Sequence, residues 1–342
     1  MTDMAGAIGR TSRTSKGGNW VGSGIRLTGV GHYFPEHVAH NSPEEIGAEE
    51  RFNAIDQHVV GKLNVKSRHL SSERETIGYM AVRAAEHALA AAGRSPEEVD
   101  LVILTNWTDR QWVPEVGPTV AFELGAQRAL GFDLCGACTG FVHGVQTASA
   151  LMSSLEPWRL AVVVCSEQFS RRTRPGSKGE LVAGDAAGAV VVERGEPDSA
   201  PEGAPGLIDS VLFSDGEHAQ TIFARRPSGW ITSQPELVDR AIEGNVRVTE
   251  LLLERNGLEI GDVDWVLPHP ATDPIHRAVR DKVGIDADRF VVTIEERANT
   301  SSASIPIALS ELLASGRTRP GQLYLTPAIG SGFFEGALLF RL

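Results

Sequence analysis

Apolar positions along the chain alternate between helical and strand-like spacing. Residues 76–108 begin with an apolar helical pattern, which ends at Gly93 and leads through an acidic turn into the buried strand VDLVIL. Residues 240–272 repeat this order, with a helix stop at Gly257 before the strand VDWVLP. The Val-Asp pairs that open the two strands begin at positions 99 and 263, so the offset is 263 − 99 = 164. This repetition predicts two similar structural units.

The similarity continues downstream through two small-residue corners. Cys138-Thr139-Gly140 leads into the apolar segment FVHGVQTASALM, and Asn299-Thr300-Ser301 leads into ASIPIALSELLA. Apolar strands follow at 160–165 and 322–329, and the segments GAVVVER and GALLFRL close the two units. We therefore expect a strand-to-helix corner in each half, with Asn299 as the counterpart of Cys138.

Strands that alternate with crossover helices predict an α/β protein with two mostly parallel, mixed sheets. Two such units packed together give five layers, αβαβα, with helices shared between the sheets. We predict a flexible leader at 1–23, an N-terminal half at 24–195, a linker at 196–206 and a C-terminal half at 207–342. The leader is rich in Gly, Ser and Thr and lacks the apolar core of a secretion signal.

The charge of the chain indicates which partners it can bind, and its cysteine content indicates its cellular compartment. The formal net charge is −12 over 342 residues, which disfavours binding to nucleic acid or to anionic membranes. No segment approaches the ~20 apolar residues of a membrane-spanning helix. An odd number of cysteines, three, fits a reducing compartment better than a disulfide framework. We therefore predict a cytoplasmic protein.

Cys138 is the candidate nucleophile. It follows a strand and opens a helix, where free N–H groups and the helix dipole favour a thiolate. Small neighbours, Gly136, Ala137 and Gly140, leave room for a substrate. Two alternatives remain: a buried cysteine is often inert, and Cys135 with Cys138 forms a CxxC of the redox or zinc type, although no second ligand pair is visible. We interpret Cys135 and Cys165 as core residues.

His269 and Asn299 are candidate partners of that nucleophile. His269 lies where the chain leaves the strand VDWVLP, and open α/β sheets bind ligands at such strand ends. Asn299 offers a neutral amide donor, so the two side chains could hold the oxygen of a thioester-derived enolate. The alternatives are a structural histidine and a helix N-cap at Asn299.

Five motifs in order give the chain a specific resemblance. From about Gly24 to Leu342 it resembles the β-ketoacyl-acyl-carrier-protein synthase III family of thiolase-fold enzymes. The motifs are CTGF (138–141) after FDLCGA, GDAAGAVVVE (184–193), HPA from His269, ANTSSASIP (298–306) and IGSGFFEGA (329–337).

The resemblance implies a role for each candidate. Cys138 would accept an acyl group from a coenzyme A or carrier-protein thioester. His269 and Asn299 would hold the malonyl thioester carbonyl and stabilise the enolate left by decarboxylation. The backbone N–H groups of Cys138 and Ser331 would form the oxyanion hole. The resemblance also implies a homodimer and no metal or redox cofactor.

Several positions depart from the family pattern. Pro274 stands where the family carries an arginine that docks the carrier protein, and His58 and Lys62 stand near the positions that clasp the adenine of coenzyme A. In the 110–117 loop, Val113 replaces the bulky residue that closes the partner's acyl pocket in the family, with Trp112 beside it. Coenzyme A and carrier protein therefore both remain open as the acyl donor.

Three functions follow from these residues. The first is decarboxylative condensation of an acyl group on Cys138 with a malonyl-type extender, in fatty acid or natural-product synthesis. The second is transfer of the acyl group from Cys138 to a hydroxyl or amine of a small-molecule acceptor. The third is a catalytically silent partner subunit, which the presence of Cys138 disfavours because such subunits typically lose the nucleophile.

Overall fold

The computed structural model describes residues 18–55, 57–155, 157–196, 203–269 and 271–342. The first half contains seven strands and five helices in the described residues. They are β1 (Ile25–Tyr33), β2 (His37–His40), α1 (Pro43–Ala48), α2 (Gln57–Lys62), β3 (Ser67–Leu70), α3 (Ile77–Ala92), β4 (Leu101–Thr105), α4 (Gly117–Leu124), β5 (Leu130–Leu134), α5 (Gly140–Ser154), β6 (Leu160–Gln168) and β7 (Asp185–Arg194).

The second half repeats the central part of this order with one added hairpin. Its described elements are β8 (Gly206–Ser214), β9 (Ile222–Ala224), β10 (Ile231–Ser233), α6 (Leu237–Asn256), β11 (Trp265–Val266), α7 (Asp273–Val283), α8 (Ile294–Arg297), α9 (Ser304–Ala314), β12 (Leu323–Leu325), β13 (Ala328–Gly330) and β14 (Phe334–Arg341). The strands β9 and β10 pair with each other as a separate antiparallel hairpin.

The two main sheets have equivalent strand orders. The first runs β1-β7-β6-β4-β5, with antiparallel pairing on both sides of β7 and parallel pairing on both sides of β4. In the second sheet, β14 pairs with β8 on one side and with both β12 and β13 on its other side. The strand β11 pairs in parallel with β12. A single parallel bridge between Val266 and Phe290 takes the place of the β4–β5 pairing. The sequence repeat is therefore a structural duplication.

In the described residues, three large apolar cores lie between the five layers. One core lies between the sheets and is built from α5, α9 and strands of both halves. A second packs α3 and α4 on the outer face of the first sheet, and a third packs α6 and α7 on the outer face of the second. Within the described residues, no helix combines the length and apolarity needed to cross a bilayer.

The predicted helix stops are confirmed in both halves. The helix α3 ends at Gly93 with φ 66°, and α6 ends at Gly257 with φ 64°. Glycine suits both positions because a side chain in this left-handed region is strained. These stops fix where the acidic turns begin and hence the register of the strands that follow.

The counterpart predicted for Cys138 is wrong. A short 3-10 turn precedes each central helix, Ala137–Thr139 before α5 and Ser301–Ala303 before α9. Both turns open on a residue of positive φ, 44° at Ala137 and 55° at Ser301. Ser302 therefore occupies the position of Cys138, in agreement with the repeat offset, 302 − 138 = 164. Asn299 lies three residues earlier, because α9 begins five positions after Asn299 whereas α5 begins two positions after Cys138.

The predicted leader and linker lie partly outside the described residues. Residues 1–17 of the leader and 197–202 of the linker fall in that category. At the described end of the leader, Trp20 donates from Nε1 to Ser210 Oγ at 2.8 Å and from its backbone to Ile208 O at 3.0 Å. Residues near Trp20 are thus attached to β8 of the second half.

Candidate active site

A cavity of about 770 Å³ lies where the two halves meet. Its walls include Cys138, His269, Asn299 and Ser331, so the structure brings all four predicted catalytic and oxyanion-hole residues to one site. Residues of the β9–β10 hairpin and of the start of α6 also line it.

Cys138 lies in the 3-10 turn and precedes the first residue of α5 by two positions. Burial raises the pKa of its thiol to about 12, and the nearby charge of Glu167 acts in the same direction. The hydroxyl of Ser301, with Oγ 3.5 Å from Sγ, lowers the pKa. Burial therefore outweighs the thiolate stabilisation that we expected from the helix terminus.

His269 is a buried, neutral imidazole. Its backbone N–H donates to Pro327 O at 3.0 Å, which ties it to the strand end beyond β12. Burial lowers the pKa of the imidazole to about 3, with the nearby His276 acting in the same direction, while a hydrogen bond with the backbone of Ser301 opposes the shift. Nδ1 of His269 is buried and has no hydrogen-bond partner among the described residues.

Asn299 is fixed by both its backbone and its side chain. Its backbone N–H donates to Val182 O at 2.8 Å, and its side-chain Nδ2 donates to Ala271 O at 3.1 Å. Oδ1 accepts from the backbone N–H of Ser301 at 2.8 Å. Since an amide nitrogen carries two hydrogens, one remains for a ligand in the cavity. The N-cap position of α9 belongs to Ala303, so Asn299 does not cap this helix.

Gly330, the last residue of β13, allows this strand to approach the turn that carries Cys138. A Cβ at this position would lie 3.0 Å from the backbone N of Thr139 and 3.1 Å from that of Cys138. The next residue, Ser331, donates from Oγ to Ile222 O at 2.6 Å, so its hydroxyl is engaged with the β9–β10 hairpin. The predicted oxyanion hole at the backbone of Cys138 and Ser331 requires this close approach.

Two residues near the nucleophile, Trp107 and Glu167, were missed from the sequence. Trp107 Nε1 donates to Ser301 Oγ at 2.8 Å, which places an indole next to the Cys138 thiol. Glu167 is fully buried; Oε1 accepts from Ser302 Oγ at 2.6 Å and Oε2 from Thr108 Oγ1 at 2.8 Å. Burial raises the pKa of Glu167 to about 7. The repeat offset of 164, applied to Cys138, would have marked Ser302, but no local pattern marks Trp107 or Glu167.

The remaining cysteines differ in environment. Cys135 is exposed and lines the cavity, so its interpretation as a core residue is wrong. Cys165 is buried in β6, as predicted. Among the residues that the structure describes, no group of three or more His, Cys, Asp or Glu side chains is arranged to hold a metal ion.

The predicted acyl-pocket loop lies outside this chain's own cavity. Trp112 is 76% exposed and Val113 is 93% exposed, and the guanidinium of Arg226 stacks over the Trp112 ring at 4.4 Å. Trp112 therefore does not fill the cavity of its own chain.

The altered docking positions lie on two helices. Pro274 is in the first turn of α7, and Lys62 is exposed at the end of α2. His58 also belongs to α2, but its side chain lies outside the described residues. His276, on α7, is buried with Nε2 3.1 Å from His269 O, so it supports the site and is not a surface cation.

Comparisons with known proteins decide the family. Residues 132–216 match the model of 3-oxoacyl-[acyl-carrier-protein] synthase III, and residues 253–342 match the model of its C-terminal part. A β-ketoacyl-[acyl-carrier-protein] synthase III from Ruegeria pomeroyi is 35% identical over 322 residues, which cover 92% of this chain and 98% of that protein. The chain belongs to the β-ketoacyl-acyl-carrier-protein synthase III family.

Solved members of the synthase III family share the fold. The enzyme from Aquifex aeolicus aligns with a TM-score of 0.85 and 31% identity over 93% of this chain and all of that chain (100%). The priming β-ketosynthase of the R1128 polyketide pathway aligns with a TM-score of 0.84 and 28% identity, over 94% of this chain and 97% of that one. The predicted family, the duplicated five-layered thiolase fold and the ketosynthase III type of function are thereby confirmed.

Proposed function

We propose that this chain acylates Cys138 from an acyl thioester and condenses that acyl group with a malonyl-type thioester. The Cys138 sulfur attacks the donor carbonyl, the oxyanion is held by the backbone N–H groups of Cys138 and Ser331, and the donor thiol leaves with the proton. The malonyl unit then loses carbon dioxide, and its enolate attacks the acyl carbonyl. The products are a β-ketoacyl thioester and free Cys138.

The observation that carries this proposal is the pair of neutral groups in the cavity of the nucleophile. His269, with a pKa of about 3, and the Asn299 amide both line the cavity of Cys138. Neutral hydrogen-bond donors stabilise an enolate oxygen as its charge develops, and a buried site strengthens such bonds. Decarboxylation therefore fits this pair.

Transfer of the acyl group to a hydroxyl or amine is the second candidate. Pro274, in place of the family's docking arginine, favours it because a small acceptor needs no carrier protein. The low pKa of His269 disfavours it, since a general base works best when its pKa lies near the operating pH. Condensation accordingly comes first.

The substrates and the assembly follow from the same proposal. Acyl-coenzyme A or an acyl carrier protein supplies the thioester, and the site needs no metal or redox cofactor for either step. We further propose a homodimer through the β5 edge and the 110–117 loop, because Leu130, Trp112 and Val113 leave apolar surface exposed there. The cytoplasmic location and the division into two halves with a leader and linker stay predictions.

Acylation is tested by intact-protein mass spectrometry after incubation with acyl-coenzyme A. The wild type should gain one acyl mass and Cys138→Ala none. Cys135→Ala is the matched control, because it removes a thiol from the same cavity and should leave the modification intact. A full acyl mass on Cys138→Ala that disappears in Cys135→Ala would place the nucleophile at Cys135 and overturn the proposal.

A further inference from the structure

Trp107 is held rigidly beside the nucleophile. It follows β4, and its Nε1 donates to Ser301 Oγ at 2.8 Å, while the same oxygen lies 3.5 Å from Cys138 Sγ. The indole nitrogen is therefore at most 3.5 + 2.8 = 6.3 Å from the sulfur that would carry the acyl group.

A second aromatic ring supports the indole. The ring of Phe169, which is 8% exposed, meets Trp107 edge to face with centroids 5.7 Å apart. Both rings line the cavity together with Cys138. Glu167 accepts from the backbone N–H groups of Trp107 and Thr108, each at 3.3 Å, and these bonds anchor the loop that carries the indole.

Part of the cavity wall is exposed to solvent and part of it is buried. The cavity-lining residues Lys178, Ala224, Pro235 and Val238 are exposed and mark the opening. The thiol-bearing arm of a donor must leave through this opening, because it connects to a large nucleotide or protein. The acyl group then points the other way, toward the Trp107–Phe169 wall.

We propose that Trp107, supported by Phe169, limits the length of the acyl group that Cys138 accepts, so that the preferred donors are thioesters of short acyl groups such as acetyl and propionyl. This inference rests on the proposed acylation of Cys138. It also assigns the limit to a side chain of the same subunit rather than to the 110–117 loop of a partner.

The test compares acylation rates with acetyl-, butyryl-, hexanoyl- and octanoyl-coenzyme A by intact mass. Each methylene that clashes or loses contact changes specificity by roughly 10-fold or more, so the wild type should favour acetyl over octanoyl by at least ~100-fold. Trp107→Ala should reduce this preference strongly or reverse it. Trp107→Phe should retain most of it, because the ring remains although the bond to Ser301 is lost.

Trp112→Ala is the matched control for a limit set by the partner's loop. It should leave the chain-length profile unchanged; a profile that relaxes in Trp112→Ala and not in Trp107→Ala overturns the inference. Phe169→Ala provides a second variant if Trp107→Ala does not fold, and it should also favour longer donors. A wild type acylated equally fast by acetyl and octanoyl donors overturns the inference alone. A wild type that no donor acylates overturns the proposed function and, with it, the limit.

Discussion

At the scale of single residues, opposing contacts set the reactivity of the Cys138 thiol. Burial and the charge of Glu167 raise its pKa, and the Ser301 hydroxyl lowers it. Because Trp107 donates to Ser301 Oγ, the hydroxyl hydrogen of Ser301 is free to point at the sulfur. A hydrogen bond to the charged form of a group stabilises that form.

The two neighbours should therefore shift the Cys138 pKa in opposite directions. Ser301→Ala should raise it and Glu167→Gln should lower it. The measurement is the pH dependence of iodoacetamide alkylation at Cys138, made in a Cys135→Ala background so that the exposed thiol does not contribute. Shifts of the same sign for both variants would contradict this account.

Glu167 also makes the stability of the fold depend on pH. Its pKa is raised from 4.5 to about 7 by burial, so the folded protein holds a proton that the unfolded chain releases. The contribution is complete below pH 4.5 and is lost as the pH rises toward and through 7. Glu167→Gln should remove this loss, so its melting temperature should fall less than that of the wild type between pH 5 and pH 8. Equal decreases in calorimetry would show that Glu167 does not hold the proton.

At the scale of secondary-structure elements, the strand-to-helix corners position the chemistry. The Cys138 turn and the end of β13 approach so closely that a Cβ at Gly330 would force the neighbouring backbone to move by a few tenths of an ångström. The atoms that block it are backbone atoms of Cys138 and Thr139, which cannot rotate away as a flexible side chain can.

Gly330→Ala should therefore displace the Cys138 turn and with it the predicted oxyanion hole. Loss of one oxyanion donor costs ~3–4 kcal/mol in the transition state, or roughly 10²–10³ in rate. We expect a decrease of this order in the acylation rate, measured by rapid-quench mass spectrometry. Gly47→Ala, at a position with no atom within contact distance of an added Cβ, is the control for a general effect of the substitution. A Gly330→Ala protein that acylates at the wild-type rate would contradict the proposed geometry.

The sequence predicted elements well where local chemistry determines them. The stops at Gly93 and Gly257 and the two repeats depend on glycine conformation and apolar period, both visible in the sequence. The predicted strand 322–329 is divided into β12 and β13 instead, with Thr326-Pro327 between them, because proline cannot donate to a sheet ladder. Trp107 and Glu167 gain their roles only from tertiary contacts with Ser301 and Ser302, which no local pattern encodes.

At the scale of the whole molecule, the duplication creates one site from two halves. Cys138 comes from the first half, and His269, Asn299 and Ser331 come from the second. In the position equivalent to Cys138, Ser302 is hydrogen-bonded to the buried Glu167 instead of facing the cavity. The turn before α9 in the second half therefore supports the turn of the first half that carries the reactive Cys138.

The proposed homodimer is a prediction at this scale. An obligate dimer of this type should bury well over ~2,000 Å², so dissociation at micromolar concentration is not expected. Static light scattering should give twice the mass of the chain. Arg or Glu substituted for Leu130, on the exposed edge strand β5, should weaken the association. A wild type that scatters as a single chain would refute the dimer.

We propose that His269 and Asn299 stabilise an enolate formed by decarboxylation. Release of labelled carbon dioxide from a malonyl thioester, followed in wild type and Asn299→Ala, measures this step itself. The wild type should release carbon dioxide in step with product, while Asn299→Ala should release it roughly 10²–10³-fold more slowly and still acylate Cys138. If the wild type turns over malonyl thioester and releases none, with the carboxylate retained on the acceptor, acyl transfer is the function and the condensation account is wrong.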